Sequence, residues 1–379
     1  MRVRNLPAVV LLLVPGAAIP AQNSVTQWQP VAELLVRQFG LTRGERVLLV
    51  GEAGKADSLV PYLRAAVVKA GGTDLGVVSV RGPWPAEWDT DFTQKLRIAG
   101  ASDMPDLLDE VDLGVMLPGA VPTDPLYASL QEKLRSGEGR TVHFHWLGSY
   151  RLDGTAFDPT PAVDAWYQRV LLETDYAALA ERQRAFEAAM RTGEVRVTTP
   201  AGTDLRFRIG DRPVTRQDGD ASAARAAQAR NLIDREIELP AGAIRVAPVE
   251  ESVEGTIVFP AGDWGGVRVE GLRMTFVRGK VTAFDATTGR DGVERELAAG
   301  GAAARSFREF ALGFNPLLAI RSDDAGPWIP YYGYGSGIVR LSLGDNTELG
   351  GAVGGGYVRW NFFTDATVTI GGKPWPTVP

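Results

Sequence analysis

The sequence predicts two layers of architecture: an N-terminal doubly wound α/β domain, then a β-rich domain of the α+β kind. Three observations carry this expectation. Strands and helices alternate through roughly the first 146 residues, and the apolar period changes to two after residue 195. The length of 379 residues also exceeds the size at which a single core usually keeps growing.

The elements follow in order. Val31, Leu34, Leu35 and Phe39 have helical spacing, and 45–51 is a short apolar strand ending in glycine. Asp57 is the expected N-cap of a helix over 58–70 closed by Gly71-Gly72, and 75–80 is the next strand. Strand, helix and strand in that order predict a parallel unit with a right-handed crossover. Further strands are expected at 111–117 and 140–146, with a helix over 126–134 between them. A helical connection over 166–191 forms the domain joint. Beyond it, hairpins are expected over 195–209 and over 267–284, the second turning at Arg278-Gly279. A helix over 292–310 interrupts the strands, and 333–369 is strand and glycine turn. The expected divisions are 1–21, 22–172 and 173–379.

Composition limits the function. There are 40 Lys plus Arg against 46 Asp plus Glu, a net charge of −6 that gives no whole-molecule basis for binding nucleic acid. The absence of cysteine excludes disulfides, thiolate metal sites and a cysteine nucleophile. Arg2 and Arg4 precede an apolar run over 8–14, and small and helix-breaking residues follow as far as Ala21. This predicts a secretory signal over 1–21 and a secreted or periplasmic product. No later run approaches the ~20 apolar residues of a spanning helix, so no stable membrane insertion is expected.

Local motifs add little by themselves. Gly51-Glu-Ala-Gly54-Lys55 has two residues between its glycines and Ala56 after its lysine, which does not match a phosphate-binding loop. His143 and His145 are two apart on a strand, so both imidazoles share one face and either line a cleft, pack with Trp146 or hold a metal. They are the only histidines, and no Gly-x-Ser-x-Gly elbow accompanies them.

A series of ordered phrases is more specific. These are Thr198-Thr-Pro-Ala-Gly-Thr-Asp-Leu205, Leu239-Pro-Ala-Gly-Ala-Ile-Arg-Val-Ala-Pro-Val-Glu250, Glu254-Gly-Thr-Ile-Val-Phe259, Phe307-Arg-Glu-Phe-Ala-Leu-Gly-Phe-Asn-Pro316, Gly337-Ile-Val-Arg-Leu-Ser-Leu-Gly344 and Val358-Arg-Trp-Asn361. In this order they resemble the thermophilic-type metalloaminopeptidases, the family of aminopeptidases T and S, over nearly the whole mature chain. The resemblance implies a β-rich aminopeptidase T-like C-terminal domain, a homodimer and a two-metal site with six ligands. Only Glu309 keeps a ligand type there; the other five implied positions hold Ala243, Arg340, Thr347, Arg359 and Asn361. Guanidinium groups have no lone pair to donate and repel a cation. The dihydroxypyridine ring-cleaving dioxygenases look similar in fold and take iron ligands from the same strands, which Arg340, Arg359 and Asn361 also remove.

Three readings follow. The first is a secreted aminopeptidase T-like protein without the two-metal site and without a cofactor, binding a peptide or small carboxylate through Arg340, Arg359, Asn361 and Glu309. The second is a divergent hydrolase in which Glu309, the candidate catalytic residue, recruits His143 and His145 around a divalent metal. The third is a scaffold whose arginines are neutralised internally, with Asp345, Asp365, Glu250 and Glu251 as available partners. Tyr331-Tyr332 and the following glycine-rich run are either a lip over the pocket or a hairpin.

Overall fold

The computed structural model describes residues 27–376 apart from 101–102, 145–147, 153–154, 156–159 and 324. The expected signal segment and His145 lie outside the described residues.

The N-terminal half builds a parallel sheet. Its strands β1 (Arg46–Gly51), β2 (Thr73–Ser79), β3 (Leu113–Met116) and β4 (Arg140–Phe144) are ordered β2-β1-β3-β4. The strands are buried on both faces, which is why they read as continuous apolar runs. Val47, Leu49, Val115 and Val142 pack with helices α1 (Trp28–Phe39) and α2 (Val60–Lys69). Leu48, Val50 and Met116 face the other way, onto α3 (Asp91–Ile98) and α4 (Pro125–Arg135). Helices on both faces make the sheet doubly wound. Asp57 does not cap α2; its Oδ1 accepts from Gly54 N–H at 2.8 Å and closes the preceding turn, while Leu59 occupies the cap position.

The expected single helix of the joint is two. These are α5 (Pro161–Glu173) and α6 (Tyr176–Thr192), separated by Thr174 and Asp175. Asp175 Oδ1 accepts from Ala178 N–H at 3.0 Å and starts α6 afresh.

The second half contains β5 (Thr215–Arg216), β6 (Glu236–Leu239), β7 (Ala243–Val246), β8 (Phe307–Gly313), β9 (Val339–Gly344), β10 (Val358–Arg359) and β11 (Phe362–Phe363). The inner antiparallel sheet runs β10-β9-β8-β7-β5, with β11 also on β9. β6 crosses the expected boundary and joins the first sheet, parallel to β4. Only Pro240, Ala241 and Gly242 separate it from β7, so the two sheets meet at this turn. A side chain at Gly242 would place its Cβ 2.6 Å from the Tyr334 carbonyl oxygen, and the close approach therefore requires glycine.

A seven-stranded antiparallel sheet, from Lys280–Asp285 at one edge to Lys373–Pro374 at the other, covers one face of the inner sheet. Phe207 from this outer sheet meets Phe310 of β8 at 5.2 Å between ring centres, and Phe186 of α6 reaches Phe310 at 6.3 Å. Each such buried ring contributes roughly 1.5–3 kcal/mol. Both expected hairpins form here. Arg278 and Gly279 have φ of 50° and 74°, the double left-handed turn that matches strand twist.

The expected helix over 292–310 is corrected. Helix α7 (Arg290–Ala299) stops at Gly300, a short turn spans Gly301–Ala304, and β8 begins at Phe307. Gly301 has φ of 61°, and every residue of β8 is buried, so its sequence lacks the alternation that marks a half-exposed strand.

Candidate functional site

Strand parity determines which side chains meet. Arg245 opposes Ala311 across β7 and β8, and Ala311 opposes Arg340 across β8 and β9. Glu309, opposite Ser342, therefore shares a face with Arg245 and Arg340, away from Phe310 and the outer sheet. The pairing slips between Phe307 and Glu309, and this bulge brings the neighbouring Arg308 to the same carboxylate.

Glu309 has no exposed surface and is enclosed by guanidinium groups. Arg245 donates from Nε to Oε1 at 2.8 Å and from Nη2 to Oε2 at 3.3 Å, Arg340 Nη2 donates to Oε1 at 2.5 Å, and Arg308 Nε lies 3.5 Å from Oε2. Burial pushes the Glu309 carboxyl up, but attraction to Arg245, Arg340 and Arg308 outweighs it and holds the group well below the usual carboxylate range. Glu348 meets Arg308 and Arg245 from the partly exposed side.

Arg340 also donates from Nη1 to the Tyr332 carbonyl at 3.2 Å, and its guanidinium lies 4.6 Å from the centre of the Trp360 ring. The register that pairs Arg340 with Phe362 and Leu343 with Arg359 places Trp360 opposite Ser342. Three donors on this face, Arg340 Nε, Ser342 Oγ and Trp360 Nε1, are buried without a hydrogen-bond partner. Ala243 is buried on the same face and contributes no polar group.

Arg359 and Asn361 belong elsewhere. By the same register they oppose Leu343 and Leu341, on the face away from Arg340. Arg359 donates to Glu296 Oε1 at 2.8 Å, to the Asp263 carbonyl at 2.7 Å and to Asn361 Oδ1 at 3.2 Å, and lies 3.5 Å over the Trp264 ring. Asn361 Nδ2 donates to the Leu341 carbonyl at 3.1 Å. Thus Glu309 and Arg340 come together, whereas Arg359 and Asn361 form a separate cluster that ties β10 to α7. Their acidic partners are Glu309 and Glu296. Asp345 instead accepts from Thr347, Gly355 and Gly356, and Glu250 pairs with Arg212 and accepts from Asn346 and Ala352. Thr347 is exposed on that loop.

β6 adds carboxylates that the sequence reading missed. Glu238 opposes His143 and Glu236 opposes Thr141. His143 meets the Tyr127 hydroxyl at 3.0 Å and lies 3.8 Å from Glu236 Oε1, while Gln131 donates to Glu236 at 3.1 Å. Burial pushes the Glu236 carboxyl up to about 8. Burial raises Glu238 too, although Arg245 and Arg340 offset part of the effect. Arg245 was the most accessible omission, because strand alternation places it beside Ala243, a position already singled out.

Tyr331 and Tyr332 have φ of 37° and 54°, a left-handed conformation costly for two successive non-glycine residues. Tyr332 N–H donates to the Gly148 carbonyl at 2.6 Å, and its ring sits where a Gly148 Cβ would be, then meets Trp360 edge-on at 5.3 Å. The tyrosine pair therefore lies over the Arg340 and Trp360 corner.

Residues 170–321 match the family model of the thermophilic metalloproteases (M29). The chain resembles the M29 metalloproteases. Wild-type AmpT from Thermus thermophilus superposes on the M29-like chain with a TM-score of 0.57 at 18% identity, covering 90% of this chain and 94% of that one. 2,5-Dihydroxypyridine dioxygenase from Pseudomonas putida KT2440 gives 0.61 at 16%, covering 92% and 94% respectively. At these identities the two structures show a shared fold, which does not choose between their chemistries. Comparison with curated protein sequences finds no match.

A divalent metal pair does not fit the residues gathered around Glu309. Both oxygens of its buried carboxylate are engaged by permanently protonated groups. Among the described residues no three His, Asp or Glu side chains gather as a metal ion would require.

Proposed function

We propose that this aminopeptidase-like protein binds a small carboxylate, either a free acid or a peptide, in place of performing two-metal hydrolysis. The observation that carries this reading is the set of unpartnered donors at Arg340, Ser342 and Trp360 on one face. Two of these groups can only donate, so an acceptor-only ligand group suits them. A buried donor left unpaired costs about 1–3 kcal/mol, which a bound carboxylate recovers through charge-assisted bonds. Arg359 and Asn361 have their own partners and fall outside the binding set. In a two-metal hydrolase, the ions lower the pKa of a water and polarise the scissile carbonyl. Here guanidinium groups stand around Glu309 instead. Arg2, Arg4 and the apolar run after them support export of the protein.

A second reading, a scaffold with a self-filled site, is favoured by the internal pairing of both arginines, Arg340 with Glu309 and Arg359 with Glu296. Calorimetric titration with small monocarboxylates and dipeptides separates the two. Ser342→Ala and Trp360→Phe each remove one donor and are expected to weaken binding by roughly 1–3 kcal/mol. No heat with any acid would favour the scaffold. Release of N-terminal residues stimulated by cobalt, zinc or manganese, and abolished by Glu309→Gln, would restore the peptidase.

A further inference from the structure

The carboxylate-binding reading leaves the other end of the ligand open, and the inference here rests on that reading. We infer that the ligand is a zwitterion, an amino acid whose carboxylate meets Arg340, Ser342 and Trp360 and whose ammonium group meets Glu238.

Glu238 lies next to the end of β6, where the three-residue turn leads into β7 and Arg245. Its carboxylate interacts electrostatically with Arg245 and Arg340. One oxygen, Oε2, is buried without any hydrogen-bond partner. The Glu238 backbone is fixed, since its N–H donates to Gln217 Oε1 at 2.8 Å. An orphan acceptor that interacts with Arg340 and three orphan donors at and beside Arg340 are thus complementary to an ammonium and a carboxylate in the same small molecule. A simple carboxylic acid satisfies the donors and leaves Glu238 unpaired. An ammonium supplies up to three N–H donors and the positive charge that an ionised buried carboxylate requires. Burial acts on Glu238 in the direction of neutrality, so a cationic partner stabilises its ionised form. Glu238, Tyr332 and Trp360 are each only partly buried, so both ends of the ligand lie near the surface beside the Tyr331-Tyr332 turn that rests on Trp360.

The test is titration calorimetry on the full chain with matched ligands: L-alanine against propionate, L-leucine against 4-methylpentanoate, and each amino acid against its amide. The amino acid should bind at least tenfold more tightly than either analogue, about 1.4 kcal/mol. Glu238→Gln, which keeps the side-chain shape, should bring the ratio of amino acid to des-amino acid affinity to about one, with the far-ultraviolet spectrum unchanged. Equal affinity of acid and amino acid in the wild type, or an unchanged ratio in Glu238→Gln, would overturn the zwitterion while leaving carboxylate binding intact. Absence of binding by every acid and amino acid would overturn both.

Discussion

Glu236 and Glu309 are buried carboxylates with opposite electrostatic consequences. At Glu309 three guanidinium groups outweigh burial, so the lowered pKa contributes stability above the unfolded-state value and loses it as pH falls through the folded one. At Glu236 burial dominates, offset in part by Gln131, and the folded pKa of about 8 lies above the ~4.3 of an unfolded glutamate. The folded state then binds the proton more tightly, and stability falls as pH rises from about 4.3 toward 8. The groups facing Glu236 are His143, Tyr127, Glu238, Glu348 and Arg245. Glu236→Gln should therefore raise stability at pH 8 by on the order of 1–3 kcal/mol and have much less effect at pH 5, as read by urea unfolding. An equal effect at both values would exclude titration of this group as the cause. Glu309 and Arg340 were legible from ordered phrases. Glu236, Glu238, Arg308 and Trp360 were not, because their roles depend on register and a bulge that no local spacing encodes.

At the scale of elements, the decisive feature is the passage from β6 to β7. Three residues bring the edge of a parallel sheet against the face of an antiparallel one, and Gly242 permits the contact with Tyr334 and Asn315. Gly242→Ala would place a methyl group 2.6 Å from a backbone oxygen and 2.9 Å from the Asn315 Cβ. The backbone must shift, and a loss of roughly 1–3 kcal/mol is expected in denaturant unfolding, with weaker binding of carboxylates because Arg245 and Glu238 flank the turn. Unchanged stability would mean that the turn yields freely. Most of the strands and helices expected from the sequence form within a few residues of their expected bounds, because their periods are strong. The boundary between α7 and β8 was obscured because β8 is buried on both faces and carries the adjacent charges Arg308 and Glu309, so its sequence shows no period of two.

Across the whole molecule, one contiguous apolar core includes residues of α1, β1, α6 and both antiparallel sheets, and β6 is shared between the two halves. The halves should therefore unfold together. Differential scanning calorimetry is expected to give one transition, whereas two separated transitions would show that the N-terminal sheet is stable without β6. Among the described residues no helix is long and apolar enough to cross a membrane. By itself the sequence determined the doubly wound start, the β-rich second half and the resemblance to M29 metalloproteases. These are properties of composition, local period and ordered phrases. Only the tertiary structure decided that Arg340 joins Arg245 and Arg308 around Glu309 while Arg359 turns to the opposite face. Register and the junction of two sheets set those contacts, and both arise from pairing between segments distant in the chain.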